Sequence, residues 1–306
     1  GYTTISAILR GLGNSFAPFI FFGIAIASNI GLDALFIYGF DMGAIGAAIA
    51  TVFGEVIGFI VSITYLLIYK LPFKVTLDLK IDRPIVKEIV RCGLPIALQD
   101  GLVVLSFAVI LAAISTNGDV YTATVGITDR VTSFGFVPLS AIGSAMSTAT
   151  AQCMGANDIK RVRQYARVAL VISFIMGTIY GLLCQIIPSQ LASIFTSDKD
   201  VIELAAPYIM STSIDIFVCM FVFPINAIFI GSGHTMFAMG QNLGVTFAIR
   251  IPFALILCLA AKAELFYIGL CYPVSTLVSL IMCLIYYFSM KWVKLKSSTL
   301  KVSETE

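Results

Sequence analysis

The feature that most constrains this chain is a series of apolar runs, each long enough to cross a membrane. A helix needs about 20 mostly apolar residues to span hydrocarbon. Eight such runs occur, at about 15–38, 43–69, 90–115, 120–150, 166–189, 203–230, 236–260 and 265–290, and residues 1–10 read as the last turns of a further helix. Lipid offers no partner to backbone N–H and C=O groups, so these runs fold as helices. Outer-membrane strands would be short and would alternate apolar with polar residues, which these runs do not. Hydrophobic residues make up 59% of the 306 and charged residues 12%. A soluble domain carries about 25% charged residues, and no core could hide this excess. The fold class is therefore an all-α polytopic membrane protein.

The charges test the span count. If the gaps between runs alternate sides, one side collects Arg10, then the basic residues of 70–91, then Lys160, Arg161, Arg163 and Arg167, and finally Lys291, Lys294, Lys296 and Lys301. That is fifteen of the nineteen basic residues. The positive-inside rule makes this side cytoplasmic, with a cytoplasmic C-terminus. The multi-pass protein is expected in the plasma membrane, with lipid as its surroundings and as a monomer. A net charge of +2 gives no sign of a nucleic-acid partner.

Other classes lack their signatures. The seven cysteines are scattered and form no CxxC, so neither a disulfide framework nor a metal site is expected. His234 is the only histidine, in a turn where it reads as solvated, and no nucleophilic triad can be assembled. The chain does not read as an enzyme, and no cofactor is implied. Gly11-Leu12-Gly13 has no strand before it and reads as a tight turn rather than a dinucleotide loop.

One stretch returns. Arg10-Gly11-Leu12-Gly13-Asn14 aligns with Ile230-Gly231-Ser232-Gly233-His234, and Gly43–Thr51 aligns with Ile268–Thr276 after a drift of five residues. In both copies a Gly-x-Gly turn on the same side leads into two apolar helices. The repeat is thus parallel, a plan that recurs in transporters with a site between related lobes. If each copy closes a lobe, the second lobe has six spans over 88–290. Residues 1–69 then hold the end of a fourth helix and the last two helices of a first lobe. Residues 70–87 form a cytoplasmic linker and 291–306 a cytoplasmic tail. Twelve spans are expected when the protein is intact, four of them preceding Gly1.

These residues resemble the multidrug and toxic compound extrusion (MATE) family. The resemblance rests on RGLGNS, Pro18, Asn29-x-x-Leu32-Asp33 and GAIGAAIAT in the first part. The second part adds Gly93-Leu94-Pro95, Pro138, the run Ala151-Gln152-Cys153-Met154-Gly155-Ala156, Phe195-Thr196 and Arg250-Ile251-Pro252. It covers nearly the whole chain and is most similar to a bacterial, DNA-damage-inducible branch. It implies a twelve-helix antiporter of two six-helix lobes that exports cationic, amphipathic drugs and toxins as protons or sodium ions enter. A distant relation with a similar helix plan, the lipid-linked oligosaccharide flippases, is the alternative.

Ionisable residues inside spans are costly and mark function. Asp100, beside Gln99, and Asp215 are the leading candidates to bind the ion or the organic cation. The sodium-coupled branch of the family carries its acids about one turn deeper, at positions matching Val103 and Cys219, so the chain departs from that pattern. Asp129 and Arg130 are adjacent and point about 100° apart on a helix; Arg130 is a candidate partner for Asp100 or Asp215. Arg250, with Pro252 expected to bend its helix, and Asn29, Asp33 and Glu55 are structural or gating candidates.

Overall fold

The computed structural model describes residues 1–68, 82–260 and 264–293, and those residues are almost entirely helical. The chain divides into two compact units, Gly1–Lys80 and Ile81–Glu306. In the first, α1 (Tyr2–Gly11) leads into α2 (Phe16–Ala34), which ends in a π-helical turn at Leu35–Gly39, and α3 (Gly43–Ile68) follows. Small residues let α2 and α3 approach closely. A Cβ added at Gly54 would lie 3.0 Å from Asn29 Cβ and 3.1 Å from the Ala25 carbonyl oxygen.

The second unit has six long helical segments. They are α4 (Arg83–Ser115), α5 (Asp119–Gly155), α6 (Ile159–Ile186) and, after the short α7 (Pro188–Ser193), α8 (Lys199–Gly231). The next is broken into α9 (Thr235–Val245), a π-helical turn, α10 (Ile251–Leu255) and a second π-helical turn. The last joins α11 (Leu265–Gly269) to α12 (Cys271–Phe288). The α8 helix is the centre, packed against α5, α6, α11 and α12. Around it, α6 turns Val168, Val171, Ile175 and Ile179 outward, as lipid contact requires.

Among the described residues seven helical segments are long and apolar enough to cross a membrane, against the eight expected. The eighth, α5, is longer than any of them but carries Asp129, Arg130 and many hydroxyl residues. The inward stripe Thr124, Thr128 and Thr132 is buried. Thr124 donates to the Val120 carbonyl at 2.8 Å and Thr132 to the Thr128 carbonyl at 2.9 Å, which keeps those two hydroxyls paired within their own helix, while Thr128 Oγ1 has no partner. A second difference lies at the linker: α4 begins at Arg83, so 83–87 are helical rather than loop, while 69–81 and 294–306 lie outside the described residues.

The repeated turn has the same geometry in both copies. Gly13 and Gly233 both take positive φ, 88° and 79°. The amides of Leu12, Gly13 and Asn14 bond to the carbonyls of Ile8, Arg10 and Leu9, and those of Ser232, Gly233 and His234 bond to Ile228, Ile230 and Phe229. The π-helical turns Leu35–Gly39 and Ile256–Ala260 stand one residue out of the same register. His234 corrects the sequence expectation. It is buried, its Nδ1 lies 3.2 Å from the Ser232 hydroxyl, and its ring meets Tyr286 edge-on. The turn packs its side chain inward because the next helix starts there.

Close approach is also needed at Gly231, where an added Cβ would collide with the Ser147 carbonyl oxygen, whereas nothing lies within 4 Å at Gly240. Gly231→Val is expected to destabilise the α5–α8 contact by about 1–3 kcal/mol. A lower thermal midpoint for the purified protein in detergent, with Gly240→Val nearer wild type, would bear this out.

Candidate functional site

Two adjoining cavities lie within the second unit. The first, of about 470 Å³, is walled by Phe107, Phe136 and Phe223 and by Asp215, Cys219, Thr246, Arg250 and Thr276. The second, of about 740 Å³, is lined by Gln99, Asp100, Ser144, Ser147, Asn226 and others. Val103, Ser140, Val222, Phe223 and Asn242 face both. Helices α4, α5, α8 and α9 supply most of these walls, with α5 presenting Ser140, Gly143, Ser144 and Ser147 and the rings coming from Phe107 of α4, Phe136 of α5 and Phe223 of α8.

Asp215 is the most constrained ionisable residue. It sits midway along α8, only 5% exposed, after Ser211, Thr212 and Ser213. Those hydroxyls turn back onto their own helix: Thr212 donates to the Tyr208 carbonyl at 2.8 Å and Ser213 to the Met210 carbonyl at 3.0 Å. A carboxylate has no proton to give and cannot do this. One oxygen of Asp215 accepts a weak bond from Cys219 Sγ at 3.6 Å, and Oδ1 has no partner. Thr246 Oγ1 in the first cavity, and Gln99 Oε1 and Asn226 Oδ1 in the second, are likewise buried and unpaired.

Arg250 ends the π-helical turn that precedes Pro252, and that turn accommodates the proline's missing N–H without a break in the span. Its Nε donates to Ser275 Oγ at 3.0 Å, and its guanidinium lies 5.5 Å from the Tyr272 ring centre and 5.9 Å from that of Phe107. The two rings stack on each other at 5.6 Å. Arg250 acts on Asp215 through space but is not within ion-pair distance of it. Its charge is thus spread over a hydroxyl and two ring faces, which leaves Asp215 near a cation but not joined to one.

The sequence-predicted residues divide. Asp215 and Arg250 share the first cavity, while Gln99 and Asp100 share the second, with Asp100 exposed. Val103 and Cys219, where the resemblance puts acids, both line the first cavity, so Asp215 serves the same space from one turn away. Asp129 stands one turn from Ser133 on α5 and acts on Tyr208 and Tyr272, but lines neither cavity. Arg130 is exposed and pairs with neither Asp100 nor Asp215, which corrects that expectation: it points about 100° away from Asp129 around the helix.

A second polar group lies in the first unit. Asn29 Nδ2 on α2 reaches 3.5 Å toward Thr51 Oγ1 on α3. Asp33, one helical turn along from Asn29, keeps Oδ1 buried and without a partner just before the π-helical turn. Such turns often accompany functional sites. Glu55, one turn after Thr51 on α3, is exposed and near Tyr2. The contributions of Thr51, Thr246, Ser275 and Thr276 were not apparent from sequence, since a lone hydroxyl within an apolar run resembles many others.

Known proteins agree with this architecture. The MatE family model matches residues 95–256. The chain is 28% identical over 302 residues to the probable multidrug resistance protein YoeA of Bacillus subtilis, covering 96% of this chain and 65% of that protein. It is 26% identical to the probable multidrug resistance protein NorM of Thermotoga maritima, covering 82% and 55%. Among solved structures, a MOP superfamily transporter from Pyrococcus furiosus, described as having a binding pocket of reverse polarity, matches with a TM-score of 0.89 at 20% identity over 95% of this chain and 66% of that one. An outward-facing multidrug resistance MATE family transporter matches at 0.85 and 22%, over the same shares. At such identities these structures establish the fold. The chain spans 65% and 55% of the lengths of the two relatives named. With the model matching more than half of its residues, the chain belongs to the MatE family.

Proposed function

We propose that the whole protein is an ion-coupled antiporter that exports cationic, amphipathic compounds by alternating access, in the plasma membrane with its C-terminus in the cytoplasm. The observation that carries this reading is the buried Asp215 carboxylate, with one oxygen unpaired, on the wall of a cavity lined by phenylalanine rings. Rings and a carboxylate together suit a flat organic cation. Names of the relatives, multidrug resistance proteins, support the same cargo. A flippase of lipid-linked oligosaccharides would need free cations for phosphate. Among the described residues Arg250 is the cation that lines either cavity, and Ser275 and two rings already engage it.

The two carboxylates take different roles in this reading. Asp215 lies near Arg250 and faces the cargo. Asp33 has no basic side chain within ion-pair distance among the described residues, and Asn29, one helical turn before it, offers an amide oxygen. That set suits a proton or sodium ion, hard partners for oxygen. The ion can drive transport only by binding the two access states with different affinity.

Asp215→Asn is expected to weaken binding of a lipophilic cation by about tenfold, roughly 1.4 kcal/mol, as loss of a buried charge partner implies. Isothermal titration of the purified whole protein checks this, and an unchanged Kd would remove Asp215 from the cargo site. Asp33→Asn is expected to abolish the response of efflux to an imposed proton or sodium gradient while cation binding persists. Dye efflux from energised vesicles reads this out, and wild-type coupling in that variant would overturn the assignment of Asp33.

A further inference from the structure

A third space in the second unit lies away from both cavities. It is a groove of about 230 Å³ between α6, α8 and α12. Arg163 and Arg167 stand four residues apart on α6, so they share one face, and both are exposed. Between them the small Ala166 leaves the gap. Below, Ile225 of α8 and Leu284 of α12 make the rest apolar. Among the described residues no carboxylate is within ion-pair distance of either arginine, and Arg163 reaches only the Met290 sulfur, at 3.7 Å.

The wall on the α12 side is held in place. Trp292 is fully buried, its Nε1 donates to the Tyr287 carbonyl at 3.0 Å, and the two rings stack at 5.5 Å. Tyr287 in turn lines the groove. The groove is therefore preformed, with two guanidinium groups that have no carboxylate partner among the described residues and an apolar floor of Ile225 and Leu284.

We propose that this groove is a binding site for one anionic phospholipid, with its phosphate on Arg163 and Arg167 and an acyl chain along Ile225 and Leu284. Placing it in the inner leaflet rests on the orientation proposed above. Guanidinium pairs match phosphate geometry, and basic pockets between membrane helices on the cytoplasmic side bind anionic headgroups. An inorganic phosphate would meet the same arginines but gain nothing from the apolar floor.

Native mass spectrometry of the detergent-purified protein tests this without reference to transport, so its failure leaves the antiporter reading intact. Phosphatidylglycerol is titrated first, then phosphatidylcholine, then inorganic phosphate as competitor. Wild type should retain phosphatidylglycerol selectively and resist displacement by phosphate. The double variant Arg163→Gln/Arg167→Gln should bind it roughly thirtyfold more weakly, at about 1 kcal/mol for each charge. The double Lys variant, which keeps the charge but not the guanidinium fork, should bind more weakly than wild type and more tightly than the double Gln variant. Equal retention of phosphatidylcholine, unchanged binding in the double Gln variant, or displacement by inorganic phosphate would each overturn the proposal.

Discussion

In hydrocarbon a polar side chain must be satisfied from within the protein. Most of this chain obeys by local means. Thr124, Thr132, Ser211 and Thr212 all donate to carbonyls one turn back in their own helices. Others tie helices together: Gln185 on α6 donates to Met210 and Ser213 of α8, and Ser279 on α12 donates to Gln241 on α9. Carboxylates have no such recourse. Asp215 and Asp33 each keep a buried oxygen without a partner, Asp215 midway along the unbroken α8 and Asp33 just before a π-helical turn. An unpaired buried acceptor costs about 1–3 kcal/mol, more when charged. Retaining two of them is consistent with sites completed by a ligand or a proton.

Much of the fold was legible because lipid imposes few options. Run lengths gave the spans to within about five residues, except at α6, which starts at Ile159 rather than 166, and at 83–87, where α4 starts early. There the mixed charges and Pro84 read as loop, yet proline fits the first turn of a helix. The Gly-x-Gly repeat was legible in a stronger form than its identity implied, since positive φ at Gly13 and Gly233 is a backbone requirement that side chains elsewhere cannot mask. Of the π-helical turns only Thr246–Arg250 had a readable signal, Pro252 just after it; Leu35–Gly39 and Ile256–Ala260 have no proline beside them.

The site was legible in part. Asp215 stood out because a charge in an apolar run is rare. Asp129 and Arg130 stood out for the same reason, yet α5 presents them away from both cavities. Facing cannot be read from a helix whose two sides both carry hydroxyls. Sequence offered Asp100 and Asp215 together, and burial separates them: Asp100 is exposed whereas Asp215 is nearly enclosed. Asn29 and Asp33 read only as structural or gating residues, because Thr51, which meets Asn29 across α2 and α3, lies in another segment and gave no sign of its role.

The central claim is that ion and cargo bias the same two-state equilibrium from separate carboxylates. Linkage is reciprocal, so each ligand must alter the affinity of the other by the same factor. The most direct measurement is the Kd of a lipophilic cation for the purified whole protein, taken across a pH series and, separately, a sodium series. The account predicts that affinity for the organic cation falls as one of those ions saturates, and that Asp33→Asn flattens this dependence. A Kd that is constant across both series in the wild-type protein would contradict it.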